Sequence, residues 1–334
     1  MSDIKTINAE RFKATAFFSL TLRRRFGNRA RIRDGSKLAE YIALKAQARQ
    51  EADDSAMFAS PVQMDGKCSA TIELISSEPL NQIVEFMNGV KDKLVGPIRG
   101  MANPSMIKEG LYSASIDLVQ QFEDILNNGN LMLESSYVPA FLEDYPDAIE
   151  RAKTLPVTQG GLGPLFNASI YPTKTSLKDA FKFEWQWLAL SVPEGLPEGL
   201  REAAQAKLEK QLTDAADEIS QALRESFSSL IAHAADRLSP AENGKAKIFR
   251  ETTIKNIEDF ISTFSSRNVM NDVELQLLVE KAKSVLRENG GVTPERLRKY
   301  AKVRQDVGQQ FKEIQKSIDS MIVEKAGRKF NFDV

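Results

Sequence analysis

The clearest strand signal in the chain is the alternation of aromatic and polar side chains over residues 181–187. Aromatic residues occupy the odd positions and polar residues the even ones: Phe181, Lys182, Phe183, Glu184, Trp185, Gln186 and Trp187. Successive side chains of a strand point to opposite faces of the sheet, so this strand has one aromatic and one polar face. Weaker alternation predicts two earlier strands, over residues 14–22 and 70–75.

Helical spacing of apolar residues predicts three helices in the first half of the chain. Ser36 follows an Asp-Gly turn and is the expected N-cap of the first helix, and the second begins at Ser77 and Pro79. The third runs through residues 116–126. It is expected to end at the Asn-Asn-Gly of residues 127–129, because Gly often follows the last helical turn.

One long apolar stripe dominates the second half of the chain. Residues 200–238 carry apolar side chains in steps of mostly four, and several of them recur at intervals of eleven. A nearly straight helix with this period would be about 58 Å long. Two prolines and a glycine within residues 193–197 indicate a hinge before it. The chain is therefore predicted to divide into an α+β domain at residues 1–195 and a long-helix domain at residues 196–334.

A seven-residue repeat follows towards residue 321. Two interleaved apolar lines make up this repeat, which Arg304 interrupts: Leu297, Phe311 and Ile318, with Tyr300, Val307, Ile314 and Met321. It predicts a short coiled-coil seam that needs a partner helix from the same chain or from another copy. We expect a homo-oligomer and assign the following residues to its seam: Leu208, Ile219, Leu230, Val307, Phe311, Ile314 and Ile318.

These patterns together predict the fold class. The fold is expected to be α+β and predominantly helical, with a small N-terminal sheet and packed helices followed by long antiparallel helices of coiled-coil type. The strand signals all lie before residue 196, and the long stripe and the seven-residue repeat lie after it.

Composition argues against several kinds of catalytic and metal chemistry. The chain of 334 residues has one His and one Cys, which excludes iron–sulfur clusters, structural zinc sites, disulfide frameworks and mechanisms that need two imidazoles. We therefore expect no enzymatic activity, no cofactor and no metal. No apolar run reaches the roughly 18 residues of a membrane span, and the start of the chain lacks the apolar stretch of a signal peptide. A cytoplasmic protein without a membrane partner is predicted.

The net charge of −1 conceals strong segregation of charge along the chain. Residues 1–50 contain twelve Lys and Arg against four acids, whereas residues 109–150 contain nine acids and neither Lys nor Arg. Residues 296–329 are basic again, with ten bases against four acids. Patches of opposite sign attract each other, either within one molecule or between neighbouring copies.

The densest basic segment is a run of six arginines within residues 23–33: Arg23, Arg24, Arg25, Arg29, Arg31 and Arg33. Guanidinium groups in this arrangement suit the phosphates of a nucleic acid, and Trp185 and Trp187 could then stack unpaired bases. The same arginines could instead form ion pairs with the acidic stretch at residues 109–150, in one chain or across an interface. The sequence leaves both interpretations open.

Two further patterns resemble ligand sites only in part. The Gly-Gly-Leu-Gly-Pro of residues 160–164 lacks the Lys-Ser/Thr pair and the spacing of a phosphate-binding loop, which favours a structural turn. Glu143, Asp144, Asp147 and Glu150 lie within two helical turns and could hold a divalent cation. An exposed acidic helix face is the favoured interpretation of these carboxylates.

Several segments resemble a family of proteins of unknown function encoded by bacteriophages and proteobacterial mobile elements. The resemblance covers about residues 15–290 and rests on turns and aromatic anchors in residues 110–119, 141–146, 162–172, 181–183 and 192–193. Members of that family are encoded near a MoxR/CobS-like AAA+ ATPase and a von Willebrand A-type protein. The resemblance implies a non-enzymatic assembly component or ATPase partner in the bacterial host cytoplasm, and it transfers no catalytic residue.

Two functions are predicted on these grounds. The first is a non-enzymatic phage or mobile-element protein that acts by self-assembly or as a partner of a MoxR-type AAA+ ATPase. The alternative is a nucleic-acid-binding accessory protein in phage DNA replication or recombination. The oligomer seam would carry the first function, and the arginine run would carry the second.

Overall fold

A computed structural model describes residues 15–51, 63–65, 69–104, 109–240, 247, 249–287 and 292–322. The chain forms two compact units. The larger, here called the helical unit, comprises Met1–Leu20, Val90–Asp124 and Trp185–Val334. The smaller, here called the mixed unit, comprises Thr21–Gly89 and Ile125–Glu184. These units interleave along the chain, so they differ from the predicted division at residue 195.

The described elements confirm an α+β fold that is mostly helical. The strands are β1 (Thr15–Arg24), β2 (Arg29–Ile32), β3 (Gln63–Asp65), β4 (Ser69–Glu73), β5 (Asn103–Pro104), β6 (Leu111–Ser115) and β7 (Phe181–Leu188). The helices are α1 (Gly35–Glu51), α2 (Glu78–Val95), α3 (Val119–Met132), α4 (Val138–Thr154), α5 (Lys174–Leu177), α6 (Glu198–Leu238), α7 (Glu251–Arg267), α8 (Val273–Arg287), α9 (Pro294–Lys299) and α10 (Ala301–Asp319).

The strands form two small sheets. One has the order β5-β6-β1-β7, with antiparallel pairing of β1 with β6 from Thr15↔Ser115 to Ser19↔Leu111. The other has the order β2-β4-β3 and is antiparallel throughout. The three strands predicted from alternation are therefore present as β1, β4 and β7. The short strands β2 and β3 and the two-residue β5 carry too little pattern for prediction.

The structure changes the predicted N-cap of α1. Asp34, not Ser36, accepts the free backbone N–H groups, with Oδ1 at 3.2 Å from Ser36 N and 3.3 Å from Lys37 N. The Ser36 hydroxyl also donates to this carboxylate, and these hydrogen bonds lower the pKa of Asp34. The segment with the seven-residue repeat forms two helices, α9 and α10, because Tyr300 between them has an extended backbone.

The predicted stop at residues 127–129 is wrong, and the reason is packing within the mixed unit. α3 continues to Met132, and a π-helical turn over Leu133–Tyr137 joins it to α4. Gly129 is needed for a close approach, since a Cβ atom there would lie 2.9 Å from the ring of Phe183. The glycine therefore marks contact between α3 and β7 instead of a helix end.

The core of the helical unit is built on the C-terminal two-thirds of α6. α10 packs antiparallel to α6, since Leu238 lies beside Gly308 while the Ser228 hydroxyl donates to Asp319 Oδ1 at 2.5 Å. Six residues predicted for the oligomer seam are buried in this core: Ile219, Leu230, Val307, Phe311, Ile314 and Ile318. The prediction that these six residues form an intermolecular seam is wrong, because side chains buried by their own chain have no surface left to contact another copy.

Arg304, which interrupts the seven-residue repeat, caps the C-terminal end of α6. The side chain is 9% exposed, and its guanidinium donates to three backbone carbonyls, Leu238 O at 3.0 Å, Arg237 O at 2.6 Å and Lys247 O at 2.9 Å. The last carbonyls of a helix lack partners within the helix and carry partial negative charge. The polar position in the repeat is thus a C-terminal cap supplied by another helix.

Candidate interaction surfaces

The first part of the arginine run contributes to the internal structure of the mixed unit. Arg23 forms an ion pair with Glu184, and Arg24 donates to Asn88 Oδ1 at 2.6 Å. The aromatic residue of the run, Phe26, is 6% exposed and packs against Phe141 and Tyr145 with ring centroids 5.9 and 5.8 Å away. A buried ring cannot stack on a base, and two of the six arginines already have partners.

The second part of the run is exposed on one face of the three-stranded sheet. Arg29 and Arg31 alternate along β2 with the half-buried Ala30 and Ile32, and Arg33 follows the strand by one residue and is exposed. We call Arg29, Arg31 and Arg33 the arginine face. Arg29 lies opposite Glu73 in the ladder, yet neither Arg29 nor Arg33 has an ion pair with another described residue.

The predicted pairing of the run with the acidic stretch is not observed within the described part of the chain. The described ion pair of the run leads to Glu184, outside residues 109–150. Asp144 of that stretch accepts from the Ser77 hydroxyl at 2.5 Å and pairs with Arg151 at 2.8 Å. Burial opposes ionisation of Asp144, but these two donors lower its pKa. The described partners of Asp144 therefore lie outside the arginine run.

No grouping of three metal-ligating side chains was found among the described residues. Glu143, Asp147 and Glu150 are exposed on α4, and Glu150 pairs with Lys153 at 3.2 Å. This arrangement matches the favoured interpretation, an acidic helix face.

Both tryptophans of the chain lie in the helical unit and share one acceptor. The indole N–H of Trp185 donates to Glu123 Oε1 at 2.7 Å, and that of Trp187 donates to the same oxygen at 2.6 Å. The Trp187 ring packs against Phe18 and Phe122, with centroids 5.0 and 6.2 Å away. Both side chains are half-buried. These contacts favour a structural role for the pair over the base-stacking role that the sequence left possible.

Removal of the shared acceptor tests this role. Glu123→Ala leaves two half-buried N–H groups without a partner, so we expect about 2 kcal/mol lower stability and easier acrylamide quenching of the tryptophan emission. Glu123→Gln keeps an acceptor oxygen and should lose less than half as much. Equal stability of Glu123→Ala and the unchanged protein would contradict the structural role of this carboxylate.

Side-chain amides that bind backbone groups were not predicted from the sequence. Asn130 accepts from Phe183 N at 2.8 Å and donates to Phe183 O at 3.1 Å, which satisfies the free side of the edge strand β7. Asn28 makes the same pair of bonds with the backbone of Ile75, at 2.8 and 2.9 Å. In sequence both residues look like ordinary turn or helix-end asparagines, and only the position of the partner strand distinguishes them.

The Gly-rich segment at residues 160–164 is a turn after α4. Gly160 has φ +94°, Gly161 N donates to Pro156 O at 3.0 Å, and Leu162 N donates to Ala152 O at 2.8 Å. Leu162 is buried as a result. The backbone amides of Gly161 and Leu162 are thus used within the chain, so this part of the segment is a structural turn.

Two tyrosines act as anchors in the mixed unit. The Tyr145 hydroxyl donates to Pro172 O and that of Tyr171 donates to Leu74 O, both at 2.9 Å. Burial raises the pKa of each phenol to about 12. The protons therefore stay in place at neutral pH, and the role of these residues is to hold segments together.

The apolar stripe of α6 becomes progressively exposed towards the start of the helix. Every stripe residue from Ala215 to Leu238 is buried, whereas Leu208 and Leu212 are half-buried and Leu200 is 62% exposed. We call Leu200, Ala204, Leu208 and Leu212 the open stripe. Leu208 is thus the one predicted seam residue that keeps accessible surface.

A groove of about 740 Å³ lies between α7 and α8 of the helical unit. Its walls combine charges of both signs with amides, for example Glu258, Asn268, Gln276 and Lys283. Nothing in the described residues assigns this groove a ligand.

Comparisons with known proteins add no relative. No family model, curated protein or solved structure matches the chain. None of the described helices combines the length and the apolar character that membrane crossing requires. The fold and surfaces therefore define the class only as a mostly helical α+β protein with an exposed arginine face and an open apolar stripe.

Proposed function

We propose that this protein is a non-enzymatic assembly component that self-associates through the open stripe of α6. The observation that carries the proposal is the continuity of one apolar line. Its C-terminal part packs against α10 of the same chain, and its N-terminal part continues outward with Leu200 largely exposed. Apolar surface of this kind gains free energy when another apolar surface covers it.

The stripe suits a second copy of itself in an antiparallel, two-fold arrangement. Pairing about residue 206 places Leu200 opposite Leu212 and Ala204 opposite Leu208, so a small residue faces a large one at the centre. Arg201 lies beside this line, but its guanidinium donates to Glu194 O at 2.6 Å and Leu196 O at 3.1 Å. Its charge is held at the helix start and does not cover the leucines.

The contact is expected to be weak and reversible. Three partly accessible leucines from each copy contribute about 1.5 kcal/mol each, against at least about 4 kcal/mol of lost freedom on association. The resulting Kd is about 0.2 mM. Contacts of this strength become effective when several copies are held close together by a common partner. An AAA+ ATPase could provide such a common partner, and this part of the prediction rests on the family resemblance alone.

The test compares two variants that introduce the same charge at different exposed apolar pairs. Leu200→Glu/Leu208→Glu should raise the dimer Kd at least tenfold in sedimentation equilibrium at concentrations from about 10 µM to 1 mM. Val273→Glu/Leu277→Glu is the matched control, since these α8 residues are 55% and 67% exposed. It should leave the Kd within about twofold.

Salt separates this mechanism from charge pairing. Apolar contact predicts a Kd that stays constant or falls as NaCl rises from 50 to 500 mM, whereas contact between charged faces weakens. A protein that stays monomeric at 1 mM, or a control variant that dissociates as much as the stripe variant, would overturn the proposal.

A further inference from the structure

We infer that the arginine face of the mixed unit binds the phosphodiester backbone of a nucleic acid. This inference goes beyond self-association and does not depend on it. It rests on the placement of Arg29, Arg31 and Arg33 side by side on an exposed sheet face, with two of the three outside any described ion pair.

The strand sets the spacing of the cations. Alternate residues of a β-strand lie about 6.8 Å apart, so Arg29 and Arg31 repeat at that spacing along β2, and Arg33 follows one residue beyond the strand. Each guanidinium presents a planar fork of N–H donors that matches two oxygens of one phosphate. A regular row of such forks fits a ligand whose anions also repeat regularly along a line, as phosphates do in a nucleic acid.

The surroundings of the face indicate binding to the backbone and not to bases. Phe26 is buried, and the indole N–H groups of both tryptophans are bonded to Glu123. The arginine face is part of a short sheet, and the carboxylate of Asp34, directly before α1, is used as the cap of that helix. Recognition should therefore be independent of base sequence and steeply dependent on salt.

Local acids modulate the face without neutralising it. Glu73 on β4 lies directly opposite Arg29 but forms no described ion pair with it. The register also places Thr71 of β4 opposite Arg31. Removal of the Glu73 charge should thus strengthen binding of a polyanion, whereas removal of Arg29 should weaken it.

An acidic surface of another copy is the competing occupant. The exposed carboxylates of α4, Glu143 and Asp147, could approach the same arginines. Phosphates are favoured because the arginines repeat at even spacing along a strand, whereas Glu143 and Asp147 stand one helical turn apart on a different type of element. With a nucleic acid as the ligand, the arginine variants should weaken oligonucleotide binding. With an acidic protein surface as the ligand, they should weaken self-association instead.

The experiment measures fluorescence anisotropy of a labelled 30-nucleotide oligo-dT and of a 30-base-pair duplex, titrated with full-length protein at several salt concentrations. We expect a Kd between about 1 and 100 µM at low salt, with a slope of log K on log salt near −2 for the single strand. Arg29→Gln/Arg33→Gln should weaken binding roughly tenfold at 50 mM NaCl and reduce the slope to about −0.7. Glu73→Gln should tighten binding about twofold.

The control removes two exposed positive charges elsewhere in the same unit. Lys174→Gln/Lys178→Gln should change the Kd by less than about twofold. The single-strand and duplex arms identify the form of nucleic acid, and binding of either form that the arginine variant weakens supports the inference. Absence of binding, or equal loss in the lysine control, overturns it. A third result also overturns it: the protein binds neither oligonucleotide, but it self-associates in a salt-sensitive way that Arg29→Gln/Arg33→Gln abolishes. That result identifies an acidic protein surface as the ligand.

Discussion

Replacement of Arg304 by Met is expected to lower the free energy of unfolding by about 3 kcal/mol, because it leaves three buried or half-buried carbonyls without a donor. Those carbonyls belong to Arg237, Leu238 and Lys247. Methionine retains most of the apolar stem, so the loss reports on hydrogen bonding and charge more than on a cavity. Urea unfolding followed by circular dichroism at 222 nm provides the measurement.

Two further variants separate the guanidinium fork from the charge at the end of α6. Arg237 is exposed in the last turn of α6 and its side chain makes no described hydrogen bond or ion pair, so Arg237→Met should cost less than about 0.5 kcal/mol. Arg304→Lys keeps the charge but loses the fork and should fall between the two. Equal stability of Arg304→Met and the unchanged protein would show that the carbonyls find other donors.

Arg304 also shows where a pattern of apolar positions stops being informative. The seven-residue repeat indicates buried positions of α9 and α10, since Leu297, Val307 and Phe311 lie in the core, but Tyr300 of the same repeat is 47% exposed. At position 304 the repeat contains a charged residue that resembles a defect. The explanation is the end of α6, more than sixty residues earlier in the chain. The spacing of apolar residues within one helix does not indicate where another helix ends.

The same limit explains the misplaced end of α3. An Asn-Asn-Gly string is typical of a helix terminus, and it is equally compatible with a site of close packing. The distinction depends on β7, whose Phe183 ring lies against Gly129 and whose backbone is bonded by Asn130. Strand β7 itself was predictable because its alternation is local. The contact between α3 and β7 was not predictable, because the sequence separation of two elements does not indicate whether they pack together.

Counting charged residues along the sequence identified the arginine run, but it could not distinguish the arginines that form ion pairs from those that stay exposed. Arg23 pairs with Glu184, 161 residues away, while Arg29 on β2 and Arg33 directly after it are exposed. The difference arises because Arg23 lies on the long strand β1 and Arg29 on a short strand of the other sheet. Arg23, Arg24 and the two tryptophans therefore leave the candidate surface, whereas Arg25 is exposed directly after β1 and is not part of the arginine face. Each reduction makes the nucleic-acid hypothesis easier to test.

Substitution of Gly161 by Ala should destabilise the protein by about 4 kcal/mol, because the new methyl group cannot be accommodated without moving the backbone. A Cβ atom at this position would overlap the carbonyl oxygen of Leu155. That carbonyl belongs to the chain segment that leaves α4, and Gly161 N is bonded to the next carbonyl, Pro156 O. Neither neighbour is the flexible end of a side chain, so relief requires displacement of the turn and of the buried Leu162 behind it.

Gly195 provides the matched control for this substitution. It lies in the segment before α6, and a Cβ atom there would meet nothing within 4 Å. Gly195→Ala should therefore be neutral or stabilise by up to about 0.5 kcal/mol through the entropy of the unfolded chain. Thermal unfolding of both variants separates the close approach at Gly161 from the general effect of removing a glycine. If Gly161→Ala unfolds at the same temperature as Gly195→Ala, the segment at residues 160–164 is not the tight structural turn described above, and its backbone amides become available again for a ligand.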